Sequence, residues 1–177
     1  LSFAASPAVA ERIGLDGLHF VIRHAIYAPL AALIMIGLSF LTPRQVRRAA
    51  LILLIVCLVL MVLVLFAGEE IKGSRRWLFL GGVSIQPSEF MKPAFIVITA
   101  WLFAEGSSRP DVPGRMLAVV LLIITAALLV AEPDLGQTIL YVAVWGALFF
   151  LAGVSTVVVG ALGGVVAAGM LAAYFVF

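Results

Sequence analysis

"AALILLIVCLVLMVLVLFAG", residues 49–68, runs without a charge or a proline between an arginine-rich loop and a glutamate pair. A helix needs about 20 apolar residues to cross the hydrocarbon core of a bilayer. This stretch meets that requirement alone, and its neighbours repeat it. Apolar runs at 25–42, 116–131, 137–152 and 156–177 predict further spans, the last two separated by the turn signal "GVS". Another span must lie at 89–104, which makes six, and residues 1–10 fit the tail of an earlier one. The expected fold is an all-α, polytopic transmembrane helix bundle forming one membrane domain over residues 1–177.

Composition agrees. The chain is 64% hydrophobic and 11% charged, whereas a soluble domain is nearer half apolar and a quarter charged. A net charge of +2, with the basic residues scattered, argues against nucleic acid as a partner. One cysteine, Cys57, and two histidines, His19 and His24, exclude a disulfide framework and make a zinc site improbable. Cys57 sits among Val and Leu and reads as a small buried hydrophobe. The chain opens without Met and ends on "AAYFVF" with no polar flank, so the expectation is a piece of a longer protein.

Charge sets the orientation. The loop "TPRQVRR" holds Arg44, Arg47 and Arg48 and no acid, which places it in the cytoplasm by the positive-inside rule. Alternation puts residues 105–115 on the same side and residues 11–23, 68–92 and 132–134 outside. In the last span Gly160, Gly164 and Ala168 recur every four residues, a small-residue stripe of the kind that lets a neighbouring helix approach.

The polar residues stand where lipid would reject them. Between Lys92 and Glu105 only residues 93–104 are uncharged, and they rise about 18 Å against a core of roughly 30 Å. The helix therefore carries Glu89 and Lys92 towards the membrane, three residues apart and able to pair. Ionisable groups at depth usually face an interior cavity or a substrate path. Pro87 suits a first helical position, which puts Glu89 near the positive end of the dipole, so a capping pair at a helix entrance is the alternative.

Ahead of it, residues 69–88 are too mixed to span and read as an interfacial segment. Trp77 prefers headgroup level, and Arg75 and Arg76 either snorkel beside it or bind an anionic headgroup or pyrophosphate. In "AEPDLGQT", Asp134 could cap the next helix with Gln137 in a capping box, or face the same cavity as Glu89 and Lys92. Glu132 and Asp134, two residues apart, do not by themselves make an acid/base pair.

Together, "KGSRRWLFLGGVSIQPSEFMK" and "EPDLGQT" resemble the signature segments of the SEDS family (shape, elongation, division and sporulation), and the resemblance runs through essentially the whole chain. "EEIKGSRRW" is more similar to its cell-division branch than to its elongation branch. The resemblance implies a ten-helix fold, of which this chain covers the end of the first helix to about the seventh. It implies a peptidoglycan glycosyltransferase that polymerises lipid II, the undecaprenyl-pyrophosphate-linked disaccharide peptide. Residues 1–177 alone would be inactive, because the family's catalytic aspartate is expected after residue 177.

Arg76, Glu89, Lys92 and Asp134 match the family's sensitive polar positions and are expected to bind substrate, with Arg75 a weaker candidate. No cofactor is identifiable, and the pyrophosphate chemistry is compatible with a divalent cation although no metal site is legible. The implied partners are lipid II, a class B penicillin-binding protein and other division proteins. The implied location is the bacterial cytoplasmic (inner) membrane, at the division septum. Two rival functions remain, a flippase for lipid II and a non-catalytic division scaffold.

The orientation is directly testable in intact cells. Cysteines placed at Arg47 and Ser108 are expected to be shielded from an impermeant thiol reagent, and one at Lys72 to react; labelling at Arg47 but not at Lys72 inverts the topology.

Overall fold

The computed structural model describes residues 19–71, 74–80, 83–153 and 164. Apart from Gly164, the span expected at 156–177, with Gly160 and Ala168 of its small-residue stripe, lies outside the described residues, as does the segment 1–10. Of the described residues, 19–46 fall in a first unit and those from 47 onward in a second.

The first unit holds helix α1, His19–Ser39, with Pro29 inside it. It stops where the Ser39 hydroxyl donates to the carbonyl of Ile36 at 2.6 Å. Helix α2, Pro43–Ala67, then starts from a capping box. The Gln45 side chain accepts from the Thr42 backbone N–H at 2.8 Å, the Thr42 hydroxyl accepts from the Gln45 N–H, and Pro43 fills the first helical position. The arginines of the loop therefore extend the helix past the apolar run of 49–68.

Within the second unit, α2 buries Ala50, Leu54, Cys57, Met61 and Val64, spaced four and three residues apart along one stripe. Ile52, Ile55, Val59 and Phe66 on its other faces stay exposed. A helix apolar all round, with one face on protein, fits hydrocarbon on the remaining faces.

Three short antiparallel strands follow: β1 Glu69–Ile71, β2 Ser74–Leu80 and β3 Val83–Ile85, in the order β1-β2-β3. Glu69 lies opposite Trp77 and Phe79 opposite Ser84. The expected interfacial segment thus contains a small sheet added to the helical bundle.

Helix α3, Pro87–Ser108, opens with Pro87 and carries Glu89 in its first turn. Helices α4, Gly114–Ala131, and α5, Leu135–Leu151, complete a three-helix group in which every pair is in contact. By length and composition α2 and α4 suffice to cross a membrane, and α5 is a shorter apolar helix.

Aromatic packing fixes the group. Trp145 stacks on Phe149 with centroids 4.8 Å apart, and Phe103 meets both at 5.6 Å. The Trp145 indole N–H is satisfied by the Ala118 carbonyl at 2.9 Å, so this ring buries no bare donor. Nearer the Pro87 end, Phe95 and Tyr141 pack edge to face at 4.8 Å. Toward the opposite end, Arg47 lies over Trp101 at 5.6 Å, Trp101 donates to Glu105 at 3.2 Å and Arg109 pairs with Glu105 at 3.0 Å.

The turn between α3 and α4 depends on glycine. A Cβ on Gly114 would collide with the Leu102 carbonyl oxygen and lie 2.8 Å from the Gly106 nitrogen. Both are backbone atoms, so relief requires the helices to part. Gly114→Ala is expected to destabilise the protein by about 2 kcal/mol, measured as thermal unfolding in detergent. Gly37→Ala, inside α1 and with nothing within 4 Å of its added methyl, is the control and should hold the transition in place or raise it.

Candidate functional site

The polar residues converge where the Gln86–Lys92 segment, strand β2 and the α4–α5 turn meet. Asp134 is the hub. It is the N-cap of α5, and its Oδ1 accepts from the Gln137 backbone N–H at 3.2 Å. Its Oδ2 accepts from the Gln86 side-chain amide at 3.0 Å and pairs with an Arg76 guanidinium nitrogen at 3.3 Å. Gln86 also donates to the Ser88 hydroxyl at 3.1 Å. One buried carboxylate thus ties a strand and the starts of two helices together.

The second part of the cluster is Glu89 with Lys92, joined through Oε2 and Nζ at 2.6 Å, one turn into α3. The Gln137 side-chain amide donates to the other Glu89 oxygen. The capping box expected at Asp134 therefore forms by half. The Asp134 N–H already donates to the Leu129 carbonyl at 2.9 Å, which leaves the Gln137 side chain to reach across to α3. Gln137 is the bridge between the two ion pairs, through its backbone on one side and its amide on the other.

All four residues expected from the sequence meet in this network: Arg76 on Asp134, and Lys92 on Glu89. Arg75 is exposed beside them. Sequence reasoning passed over Gln86, Ser88 and Tyr141, whose hydroxyl donates to the Ser88 carbonyl at 2.7 Å and pins the first turn of α3. These are uncharged residues in apolar or proline-flanked surroundings, with no spacing that marks them. Below the cluster an apolar hollow of about 160 Å³ runs between α3 and α5, lined by Lys92, Phe95, Ile96, Leu140, Tyr141 and Val144.

Glu132 is the least expected member. It sits in the α4–α5 turn at 1% exposure, and neither carboxylate oxygen has a hydrogen-bond partner among the described residues. Burial, and then the neighbouring Asp134 charge, push its carboxyl up to about 8, against a smaller opposing pull from Arg76. Among the described residues no three His, Cys, Asp or Glu side chains converge to hold a metal ion.

Comparison with known proteins places this geometry. The family described as "Cell cycle protein", FtsW–RodA–SpoVE, matches residues 1–177. The chain belongs to this family. The "Probable peptidoglycan glycosyltransferase FtsW" of Caulobacter vibrioides is 45% identical over 100% of this chain and 46% of its own length. A crystal structure of a mutant of the Thermus thermophilus rod shape determining protein RodA superposes with a TM-score of 0.70 at 29% identity, covering 92% of this chain and 54% of that one. A third relative is a structure described as "Structural coordination of polymerization and crosslinking by a peptidoglycan synthase complex" (TM-score 0.59, 29% identity, 98% of this chain, 50% of that one).

The chain spans about half the length of the curated relative it matches. Like the rest of the FtsW–RodA–SpoVE family it is a helical membrane protein.

The buried acid gives a signed prediction. Folded Glu132 keeps a proton to about pH 8 that the unfolded chain releases near the ordinary value of 4.5. The folded state then binds more protons than the unfolded state, so its stability falls as pH rises between those two values and levels off above them. Thermal unfolding followed against pH should show that decline in the native sequence and a shallower one in Glu132→Gln. Parallel profiles would mean that Glu132 ionises normally.

Proposed function

We propose that the whole protein is a peptidoglycan glycosyltransferase that polymerises lipid II during bacterial division, and that Arg76, Glu89, Lys92 and Asp134 form part of its substrate site on the outer side of the cytoplasmic membrane. The observation that carries the reading is the way Arg76 is held. Its side chain is 35% exposed, while the Asp134 carboxylate that grips it is 6% exposed. Asp134 pairs with one guanidinium nitrogen at 3.3 Å and anchors the group, which leaves other N–H donors for a ligand. A fixed guanidinium suits the oxygens of a pyrophosphate.

Lys92 adds a second cation at the end of an apolar hollow, an arrangement fit for a phosphate joined to a lipid chain. In transfer from one lipid-linked disaccharide to another, undecaprenyl pyrophosphate leaves, and these cations would steady the charge that develops on it. The base that takes the proton from the attacking hydroxyl is assigned to no residue of 1–177.

Three finer points belong to the same reading. The 45% identity to a protein named FtsW supports the division branch and the septum. The resemblance to a peptidoglycan synthase complex supports a class B penicillin-binding protein as partner. Glu89 keeps Lys92 in place, and Gln137 couples that pair to Asp134.

Purified full-length variants titrated with lipid II test the proposal. Arg76→Lys is expected to lower polymerisation by about tenfold or more, because an ammonium cannot replace two parallel N–H bonds. Arg75→Lys should have a mild effect, with expression and melting temperature near normal in both. Lipid II flipped across liposomes without polymer would replace the proposal with transport, and neither activity would indicate a scaffold.

A further inference from the structure

Charge is closely balanced in the linked network. Arg76 and Lys92 supply two positive charges, Glu89 and Asp134 two negative ones, each acid with a cation bonded to it. Glu132 is the odd group. It lies two residues from Asp134 and is buried like a core residue, yet no donor among the described residues reaches its oxygens.

The groups that face it are few. Asp134 is on its own turn and Arg76 comes from β2. From α5, the Tyr141 phenol lies within electrostatic reach of both Glu132 and Glu89, and its hydroxyl is committed to the Ser88 carbonyl. Lys92, from α3, is bonded to Glu89. Arg76 is thus the one described cation next to Glu132, and its bonded partner is Asp134.

A buried carboxylate without a partner or a donor is strongly disfavoured, while a buried carboxylic acid is tolerable. With Glu132 neutral, the network sums to zero and Arg76 keeps its attraction for an anion. With Glu132 ionised, the network carries one net negative charge behind that same guanidinium.

We propose that Glu132 is a positioning residue that works as a neutral acid: protonated, it leaves Arg76 free to hold a pyrophosphate group, and its ionisation weakens that hold. The inference rests on the reading of Arg76 and Lys92 as a pyrophosphate site and adds a control to it. Glu132 touches no substrate. It acts through the field at Arg76, and burial makes that field strong because little water screens it. The raised carboxyl of Glu132 places the change near neutral to mildly alkaline pH.

The experiment uses full-length protein in nanodiscs and undecaprenyl pyrophosphate as the probe, titrated from about pH 6 to about pH 9 to bracket the Glu132 transition. The native protein is expected to lose about tenfold in affinity across the range, the effect of one added charge at close quarters. Glu132→Gln, which mimics the neutral acid, should be spared that loss and keep only the pH dependence that the pyrophosphate itself brings. Ionisation of the pyrophosphate itself affects both proteins alike, so the difference between the profiles isolates Glu132.

Infrared difference spectra give a readout independent of the ligand: a protonated carboxyl band at neutral pH that disappears in Glu132→Gln. Binding with the same pH profile in both proteins overturns the control and leaves the pyrophosphate site standing. So does a native protein that binds but lacks the band. Absence of binding at every pH overturns the pyrophosphate reading, and the control falls with it.

Discussion

The site depends on one buried carboxylate. Asp134 meets its two oxygens with two donors and one cation drawn from different parts of the chain: Gln86 at the entrance to α3 and the Gln137 N–H in the first turn of α5 donate, and Arg76 on a strand pairs with it. A charge in a low-dielectric setting is stable only if its lone pairs are met, and removing one partner strands the rest. Electrostatics therefore joins apolar packing in holding strand β2 and the two helix starts in register. The hydrophobic effect gives little orientation here, since lipid is as good a surrounding for a leucine as another helix is.

That division of labour runs along the helices. In the middle of the three-helix group, contact is made by interlocking aromatic rings, and the one polar atom among them, the Trp145 indole nitrogen, is capped by a backbone carbonyl. At the glycine turn, contact is made by backbone on backbone, with no room for a methyl group at Gly114. Among the described residues, charges sit close to one another while buried only at the end that carries the α4–α5 turn. An ion pair is weak where water screens it and strong where it does not. The exposed Arg109–Glu105 pair toward the other end and the buried Asp134 hub are unlike in consequence although both are salt bridges.

The helices were legible wherever the signal was local. An unbroken apolar run leads to α2, and Pro87 followed by an acid marks the first turn of α3, because both features act within a few residues. The all-α expectation passed over the sheet at 69–85, since short strands rich in charge and glycine carry no long period. Of the site, the charges could be found because charge near lipid is conspicuous. The Glu89–Lys92 pair, three residues apart, could be found as well, but the links through Gln86 and Gln137 could not, because they act across 48 residues of sequence. Glu132 reads from sequence as part of an outer loop and is buried in the structure. Nothing local tells a turn residue that the fold will close over it.

The strand also explains why two adjacent arginines are not equivalent. Successive side chains of a strand point to opposite faces. Along β2, Arg76 and the buried Leu78 lie on one face, while Arg75 and the half-exposed Phe79 lie on the other. A helix would have set the two guanidinium groups roughly 100° apart, both within reach of one acid. The pleat directs a single arginine to Asp134 and turns its neighbour away. Charge-based reading of "SRRW" treats the pair as one patch, whereas period-two geometry makes Arg76 the one inward arginine next to two buried acids.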